Sequence, residues 1–385
     1  MSKKLLKDCA YYVTDRISSS NLTAENYIGV DNMLPNKAGV TLSESVPTSG
    51  DVTAFNVGDI LIGNIRPYFK KIWLATFDGG CSPDVLCIRC NRDVPPEYLY
   101  GVLSQDSFFD YDMAGSKGSK MPRGDKNHIM NYPIPILNDM SKIGNFIIDI
   151  NDKISNNNRI NAELESMAKT IYDYWFTQFD FPDENGKPYK SSGGKMVWNE
   201  ELKREIPEGW GATTIGSILG DYPKTASILR DDYCLGSKYP IIDQSKDYIC
   251  GYTDDYDNVL HMNDAIVYGD HTNYTKYVNF DFARGADGTQ IINSTEPALP
   301  NYILYQQILL LPVIEKGYSR HFKFLKEQYV IVPEFEVSKK YMDMVEYSLL
   351  KTKGIITENQ QLASLRDWLL PMLMNGQVGF EEDRI

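Results

Sequence analysis

The chain is short of nearly everything that marks a membrane protein, a secreted protein or a bulk nucleic-acid binder. No uninterrupted apolar run approaches the roughly 20 residues that a bilayer-spanning helix needs. The start, Met1-Ser2-Lys3-Lys4, leads into no apolar signal-peptide core, so a cytoplasmic location without membrane contact is expected. Six cysteines among 385 residues follow no regular framework, which fits a reducing compartment. Positive charge is scarce: 39 Lys and Arg face 52 Asp and Glu, a formal net charge of −13. A dedicated nucleic-acid binder is usually basic. Any electrostatic hold on DNA must therefore come from local patches, or be supplemented by partner proteins.

Catalytic patterns are missing too. Cys87-Ile88-Arg89-Cys90 is a lone C-x-x-C with no second pair to complete a zinc site. Histidines 128, 261, 271 and 321 show neither metal spacing nor a nucleophile partner. Gly115-Ser116-Lys117-Gly118-Ser119-Lys120 does not fit the phosphate-binding G-x-x-x-x-G-K-[ST] loop. Asp93-Val94-Pro95-Pro96 and Asn131-Tyr132-Pro133 fail the spacing of the Asn/Asp-Pro-Pro-aromatic motif of amino-methyltransferases. Asp183, Glu201 and Lys203 formally match the PD…ExK pattern, in which carboxylates hold Mg²⁺ and Lys assists the attacking water. They straddle a polar Gly/Ser stretch with no strand to fix them.

What is present is a duplication. Gly58-Asp59-Ile60-Leu61-Ile62-Gly63-Asn64 in the first half answers to Asn263-Asp264-Ala265-Ile266-Val267-Tyr268-Gly269 in the second. Cys81-Ser82-Pro83-Asp84-Val85-Leu86 answers to Gly285-Ala286-Asp287-Gly288-Thr289-Gln290. Pro96 and Pro300 each open a short helix, and Tyr132-Pro133-Ile134-Pro135 and Val330-Ile331-Val332-Pro333 each lead into a long one. Asp59 and Asp264 lie 205 residues apart, and Asn161 and Asn359 lie 198 apart, the drift expected of diverged copies. Such a unit exceeds the roughly 20–50 residues of a solenoid repeat. Two complete α+β domains are implied, built from short β-branched runs punctuated by Gly, Asn and Asp turns.

From Ile143 the apolar positions alternate in steps of four and three through Ile147, Ile150, Ile154, Asn157, Asn161, Leu164, Ala168, Ile171 and Trp175. That is the a/d spacing of a coiled coil. The second copy runs through Val345, Ile355, Asn359, Leu362, Leu369 and Leu373. The residues expected to pair the helices are Ile147, Ile150, Ile154, Asn161, Leu164 and Ile171 with Ile355, Asn359, Leu362 and Leu369. Pseudo-two-fold symmetry makes antiparallel pairing the natural arrangement. Residues 181–210, rich in Pro, Gly, Ser and charge, read as a linker.

Each copy also carries a basic cluster between its short helix and its last strand. The first holds Lys117, Lys120, Arg123, Lys126 and His128 among glycines. The second holds Lys316, Arg320, His321, Lys323 and Lys326 interleaved with Tyr318, Phe322 and Phe324. Arg66, Lys70 and Lys71 form a further group with Lys276 as a faint counterpart, and Arg284 adds one more cation. In an acidic protein, clusters at matching places suggest a polyanion contact. Lys and Arg suit phosphate oxygens, and a bidentate Arg suits guanine. The candidate DNA-binding set is therefore Arg66, Lys70, Lys71, Lys117, Lys120, Arg123, Lys126, Lys276, Arg284, Arg320, His321, Lys323 and Lys326.

Two globular repeats, each followed by a long helix and without catalytic residues, resemble the specificity (S) subunit of type I restriction–modification systems. Local strings resemble that family as well: Leu164-Glu165-Ser166-Met167-Ala168-Lys169-Thr170-Ile171-Tyr172-Asp173-Tyr174-Trp175-Phe176, Ser192-Gly193-Gly194-Lys195-Met196-Val197-Trp198, Ile206-Pro207-Glu208-Gly209-Trp210, and Leu370-Pro371-Met372-Leu373-Met374-Asn375-Gly376-Gln377-Val378. The resemblance covers essentially the whole chain. It implies target-recognition domains at 1–136 and 211–333, a first long helix at 137–180, and a second with its tail at 334–385. Each domain would read one half of a bipartite double-stranded DNA site. The helices, an antiparallel coiled coil, would set the spacer and dock two modification subunits. The chain itself would be non-catalytic and cofactor-free. S-adenosylmethionine, ATP and Mg²⁺ would serve the modification subunits and the restriction (helicase–nuclease) subunits of an endonuclease/adenine methyltransferase complex. The alternatives are an interaction scaffold without DNA specificity and a self-contained Mg²⁺-dependent nuclease using Asp183, Glu201 and Lys203.

Overall fold

The computed structural model describes residues 2–118, 120–234, 237–312 and 320–380. The chain forms two compact units, Met1–Asn156 with Asn359–Ile385, and Asn157–Glu358.

In the first unit, Ser2–Leu5 pairs antiparallel with Pro133–Ile136, tying the chain's first strand to the strand before the long helix. A four-stranded sheet has the order Ala10–Tyr12, Val85–Cys90, Ile60–Gly63, Ile72–Leu74. Ile60, Leu61 and Ile62 are all buried, so this strand is covered on both faces, consistent with its unbroken apolar run. The helix Pro96–Leu103 starts on a proline whose fixed φ suits the first helical position. It buries Tyr98, Leu99, Val102 and Leu103 in a core that also holds Ile143, Ile147, Leu370, Leu373 and Met374. Each such aliphatic side chain contributes about 1.5–3 kcal/mol on leaving water. Close approach is set by glycine: a Cβ on Gly101 would lie 2.4 Å from Ile147 Cδ1, and one on Gly144 would lie 2.6 Å from the Tyr98 backbone nitrogen.

The second unit repeats the plan. Gly211–Thr214 pairs antiparallel with Tyr329–Val332, and Ala265–Gly269 lies between Thr275–Val278 and Thr289–Ile292. The helix Asn301–Leu310 buries Tyr302, Ile303 and Leu304 beneath them. The sequence-defined linker is not a loose tether. Phe181 stacks on Trp210 with ring centres 5.1 Å apart, Ile206 is buried, and Met196–Asn199 forms a hairpin with Arg204–Pro207. Its aromatic residues pack into the unit's main core, outweighing the polar composition around them.

Each long helix, Met140–Tyr172 and Phe335–Met374, contributes one half to each unit. In the first unit, the start of one packs on the end of the other: Arg366 Nη1 donates to Asn151 Oδ1 at 2.7 Å. In the second, the end of one packs on the start of the other: Tyr341 Oη donates to the Ala168 carbonyl at 3.1 Å. The pairing is therefore antiparallel. Ile147, Ile150 and Ile355 are buried, while Ile154, Asn161, Leu164, Ile171, Asn359, Leu362 and Leu369 are half-buried. The best-covered polar residue of the seam is Asn157, whose Nδ2 donates to Glu358 Oε2 at 2.8 Å. Asn161 Oδ1 is buried without a partner among the described residues.

Candidate nucleic-acid interface

In the first unit, the strands Ile60–Gly63 and Ile72–Leu74 are joined by a turn containing Pro67–Phe69. Both ends of this short helical turn, Arg66 and Lys70, take left-handed backbone angles of φ 52°. Non-glycine residues rarely adopt that conformation, and it clusters at functional turns. The basic segment after the helix Asp106–Gly115 docks on this turn. The Arg66 amide donates to the Pro122 carbonyl at 2.8 Å, and Lys117 and Arg123 exchange backbone hydrogen bonds at 3.0 Å. Gly118, at φ 97°, allows the chain to turn between them. The two basic clusters of the first repeat thus become one surface.

Its charges differ in availability. Lys120 is exposed and makes no bond to the described residues. Arg123 pairs with Asp84 at 3.0 Å and Lys117 with Asp125 at 2.7 Å, both with exposed cations that can turn toward another anion. The Lys117 bond, with the His128 and Asn127 amides, pulls the Asp125 carboxyl down to about 2. Asp125 is also the cap of the short helix Lys126–Ile129, so it anchors the segment that carries Lys126. Lys126 is exposed beside the Tyr12 ring.

Lys70 and Lys71 are engaged within their own domain. Lys70, with Lys37, grips Asp106 at 2.9 Å. Burial alone would raise the Asp106 carboxyl, but these two hydrogen bonds bring it below its ordinary value. Lys71 donates to the Val30 carbonyl at 2.6 Å, and burial lowers its ammonium. Both lysines hold the turn to its own domain.

Beneath the segment, Asp112 is fully buried with neither carboxylate oxygen partnered among the described residues, and Asn64 Oδ1 is buried likewise. Burial raises the Asp112 carboxyl to about 6, against the opposing charge of His128. A Cβ on Gly124 would lie 2.3 Å from Asp112 Oδ1 and 2.8 Å from Asn64 Oδ1, so only glycine passes here.

The second unit repeats the docking. The turn between Ala265–Gly269 and Thr275–Val278 contains Asn273 at φ 59°. The basic segment attaches through the His321 amide to the Asp270 carbonyl at 2.9 Å and the Phe322 amide to Asp270 Oδ1 at 2.8 Å. Arg320 and Lys323 are exposed and make no bond to the described residues, and exposed Lys326 lies over the Phe322 ring. Lys316 and Tyr318 lie outside the described residues.

Three candidates of this half are covered within their own domain. Lys276 is buried and donates to the Asp243 carbonyl at 2.8 Å and the Asp247 carbonyl, its ammonium lowered by burial. Arg284 is half-buried, donating to the Thr225 carbonyl at 2.9 Å with its Nε buried. His321 is buried with neither ring nitrogen partnered among the described residues. The nuclease-like residues are also occupied locally. Asp183 Oδ1 accepts the Asn185 and Lys187 amides, Lys203 pairs with Glu200, and Glu201 bonds the Tyr329 hydroxyl.

Sequence reasoning overlooked an ion pair behind the turn. Arg89 clamps Asp59 with two bonds of 2.7 Å. In the sequence Asp59 stands out only as a repeated residue and Arg89 only as part of a C-x-x-C.

No protein-family model matches the chain. By sequence it is 26% identical to the type I restriction enzyme MjaIX specificity subunit of Methanocaldococcus jannaschii, over 75% of this chain and 70% of that protein. It is 30% identical to the EcoDI specificity subunit of Escherichia coli over 21% of this chain and 18% of that protein. The HindI specificity subunit of Haemophilus influenzae matches at 29% over 33% of this chain and 29% of its own length. The fold matches the crystal structure of a type I restriction–modification S subunit from M. genitalium with a TM-score of 0.54, at 15% identity, covering 97% of this chain and 95% of that one. By its sequence relatives the chain is a homologue of type I restriction enzyme specificity subunits, and its fold is that of an S subunit.

Proposed function

We propose that this protein is the DNA-recognition subunit of a type I restriction–modification complex, each recognition domain reading one half of a bipartite duplex site. The observation that carries this reading is the duplicated surface: in both domains a basic segment docks by backbone hydrogen bonds on the turn of a central hairpin. Free cations stand on each surface, Lys120 in one and Arg320 and Lys323 in the other. Phosphate contacts from such residues orient a domain on DNA, and base contacts beside them select sequence.

In this reading the paired helices set the spacer and receive two modification subunits, and restriction subunits join that assembly. Large apolar side chains left exposed on the long helices suit a protein partner: Met344, Tyr347 and Leu350 on one stretch, Leu365 and Trp368 on another. S-adenosylmethionine, ATP and Mg²⁺ act on the partners, and the assembly works on chromosomal and incoming DNA in the cytoplasm. The net charge of −13 limits the DNA affinity of the chain alone, so its partners supply part of the hold.

The test is methylation mapping of the chain co-expressed with its methyltransferase partner. A bipartite methylated motif is expected, and absence of any motif overturns the reading. The spacer is tested by inserting one heptad in each helix at facing points, after Asn157 and after Thr357. A heptad adds about 10.5 Å of helix, equivalent to about three base pairs of duplex. The spacer should lengthen by up to that amount with both half-sites unchanged. An active complex with an unaltered spacer would show that the helices are not the ruler.

A further inference from the structure

Both recognition domains leave an aromatic ring uncovered at the corner where the basic segment docks. In the first, Tyr68 sits on the strained turn between Arg66 and Lys70, 46% exposed, with Phe69 beside it at 39%. Their rings lean on each other with centres 4.7 Å apart, and the Tyr68 hydroxyl has no hydrogen-bond partner among the described residues. In the second, Tyr274 closes the turn after Asn273, 45% exposed, its phenol without a partner among the described residues. The two turns differ in length: Gly63 bonds across to Lys71, whereas Gly269 bonds across to Tyr274. The rings therefore do not share a register position, but each occupies the same corner of its domain.

Three features make these more than incidental surface tyrosines. Each ring stands on a turn that contains a left-handed non-glycine residue, a conformation that persists where the surrounding structure enforces it. Each turn is bonded to the segment bearing the free cations. The first corner also exposes Met121, next to the Pro122 that bonds Arg66. An aromatic ring beside a segment that bears exposed cations, Lys120 in one domain and Arg320 and Lys323 in the other, fits a nucleic-acid base, which offers a π-face and, in thymine, a methyl group.

We propose that Tyr68 and Tyr274 are base-contacting, specificity-determining residues, one for each half-site. This rests on the DNA-recognition reading above. The aromatic ring makes the contact, while the neighbouring lysines and arginines fix the phosphates around it.

The experiment uses the complex with its methyltransferase partner, after mapping the wild-type site. A wild-type complex with no bipartite site would defeat the parent reading before any variant is made. Given a site, Tyr68→Ala should relax selectivity about 10-fold or more at positions in one half-site, the scale of a mismatched base pair. Tyr274→Ala should do so in the other half-site only. Tyr68→Phe and Tyr274→Phe should keep selectivity, and Tyr68→Leu should lose it. Thermal melting and partner assembly should match wild type, since both side chains are largely outside the core. Uniform weakening on all sequences, selectivity unchanged in the alanine variants, or wild-type selectivity in Tyr68→Leu would each overturn the proposal.

Discussion

The two recognition domains share a plan but not its internal wiring. The repeated aspartate at the start of the central hairpin strand is the clearest case. In the first domain Asp59 is held by a bidentate Arg89. In the second, Asp264 accepts from Asn301 Nδ2 at 2.9 Å and from the Tyr277 hydroxyl at 2.7 Å. The docking corner differs similarly. Gly124 bonds the Asn64 carbonyl in one domain, and the buried His321 bonds the Asp270 carbonyl through its amide in the other. A buried carboxylate needs compensation, but the fold does not dictate whether it comes from a cation or from neutral donors. This freedom lets each domain change its outer residues without changing the hairpin.

The largest test of that contrast is loss of the compensating group. Arg89→Ala should cost about 3–5 kcal/mol, because it strands a buried charge. Asn301→Ala removes neutral donors and should cost less, about 2 kcal/mol. Hydrogen exchange followed separately in residues 2–156 and 157–358 would measure both. Equal losses would show that the two wirings are energetically interchangeable.

Next in size is the pH response of the first domain. Burial raises Asp112 to about 6 from 3.8, so the folded state favours its protonated form. That contribution is complete below about pH 4 and is lost as pH rises through 6, a change of about 3 kcal/mol. Asp112→Asn should therefore gain stability relative to wild type between pH 4 and 7.5, read as a growing difference in melting temperature. A constant difference across that range would mean the carboxyl is not buried in its charged form.

A third comparison separates structural from surface cations. Lys276→Met uncovers two backbone carbonyls and should destabilise the second domain by about 1–3 kcal/mol. Lys120→Met should leave stability unchanged and reduce the salt dependence of DNA binding by about one unit of slope. The reverse pattern would mean that burial has been assigned to the wrong lysine.

The duplication, the helix pair and the basic segments were legible in the sequence because each repeats or follows a fixed period. Heptad spacing survives in the letters, and so do the prolines that open Pro96–Leu103 and precede Asn301–Leu310. Where a lysine's tip goes does not. Lys71 and Lys276 look like Lys120 as letters, yet their ammonium groups reach backbone carbonyls brought near by distant segments, Val30 for one and Asp243 and Asp247 for the other. The packing of residues 181–210 is hidden for a related reason. Their composition is polar on average, but Phe181, Ile206 and Trp210 do the packing. Tyr68 and Tyr274 were invisible as a pair, since turns of unequal length break the constant offset.

The sharing of each long helix between two units has a consequence for synthesis. The second unit, Asn157–Glu358, is one continuous stretch and has all its parts once Glu358 leaves the ribosome. The first needs Leu370, Leu373 and Met374 to cover a core that includes Leu6 and Tyr98. The earlier-made domain therefore waits for residues translated after the later one, reversing the usual N-terminal-first order of domain completion. Until then the apolar side of its helix start stays open, a period in which a chaperone or a partner subunit could occupy it.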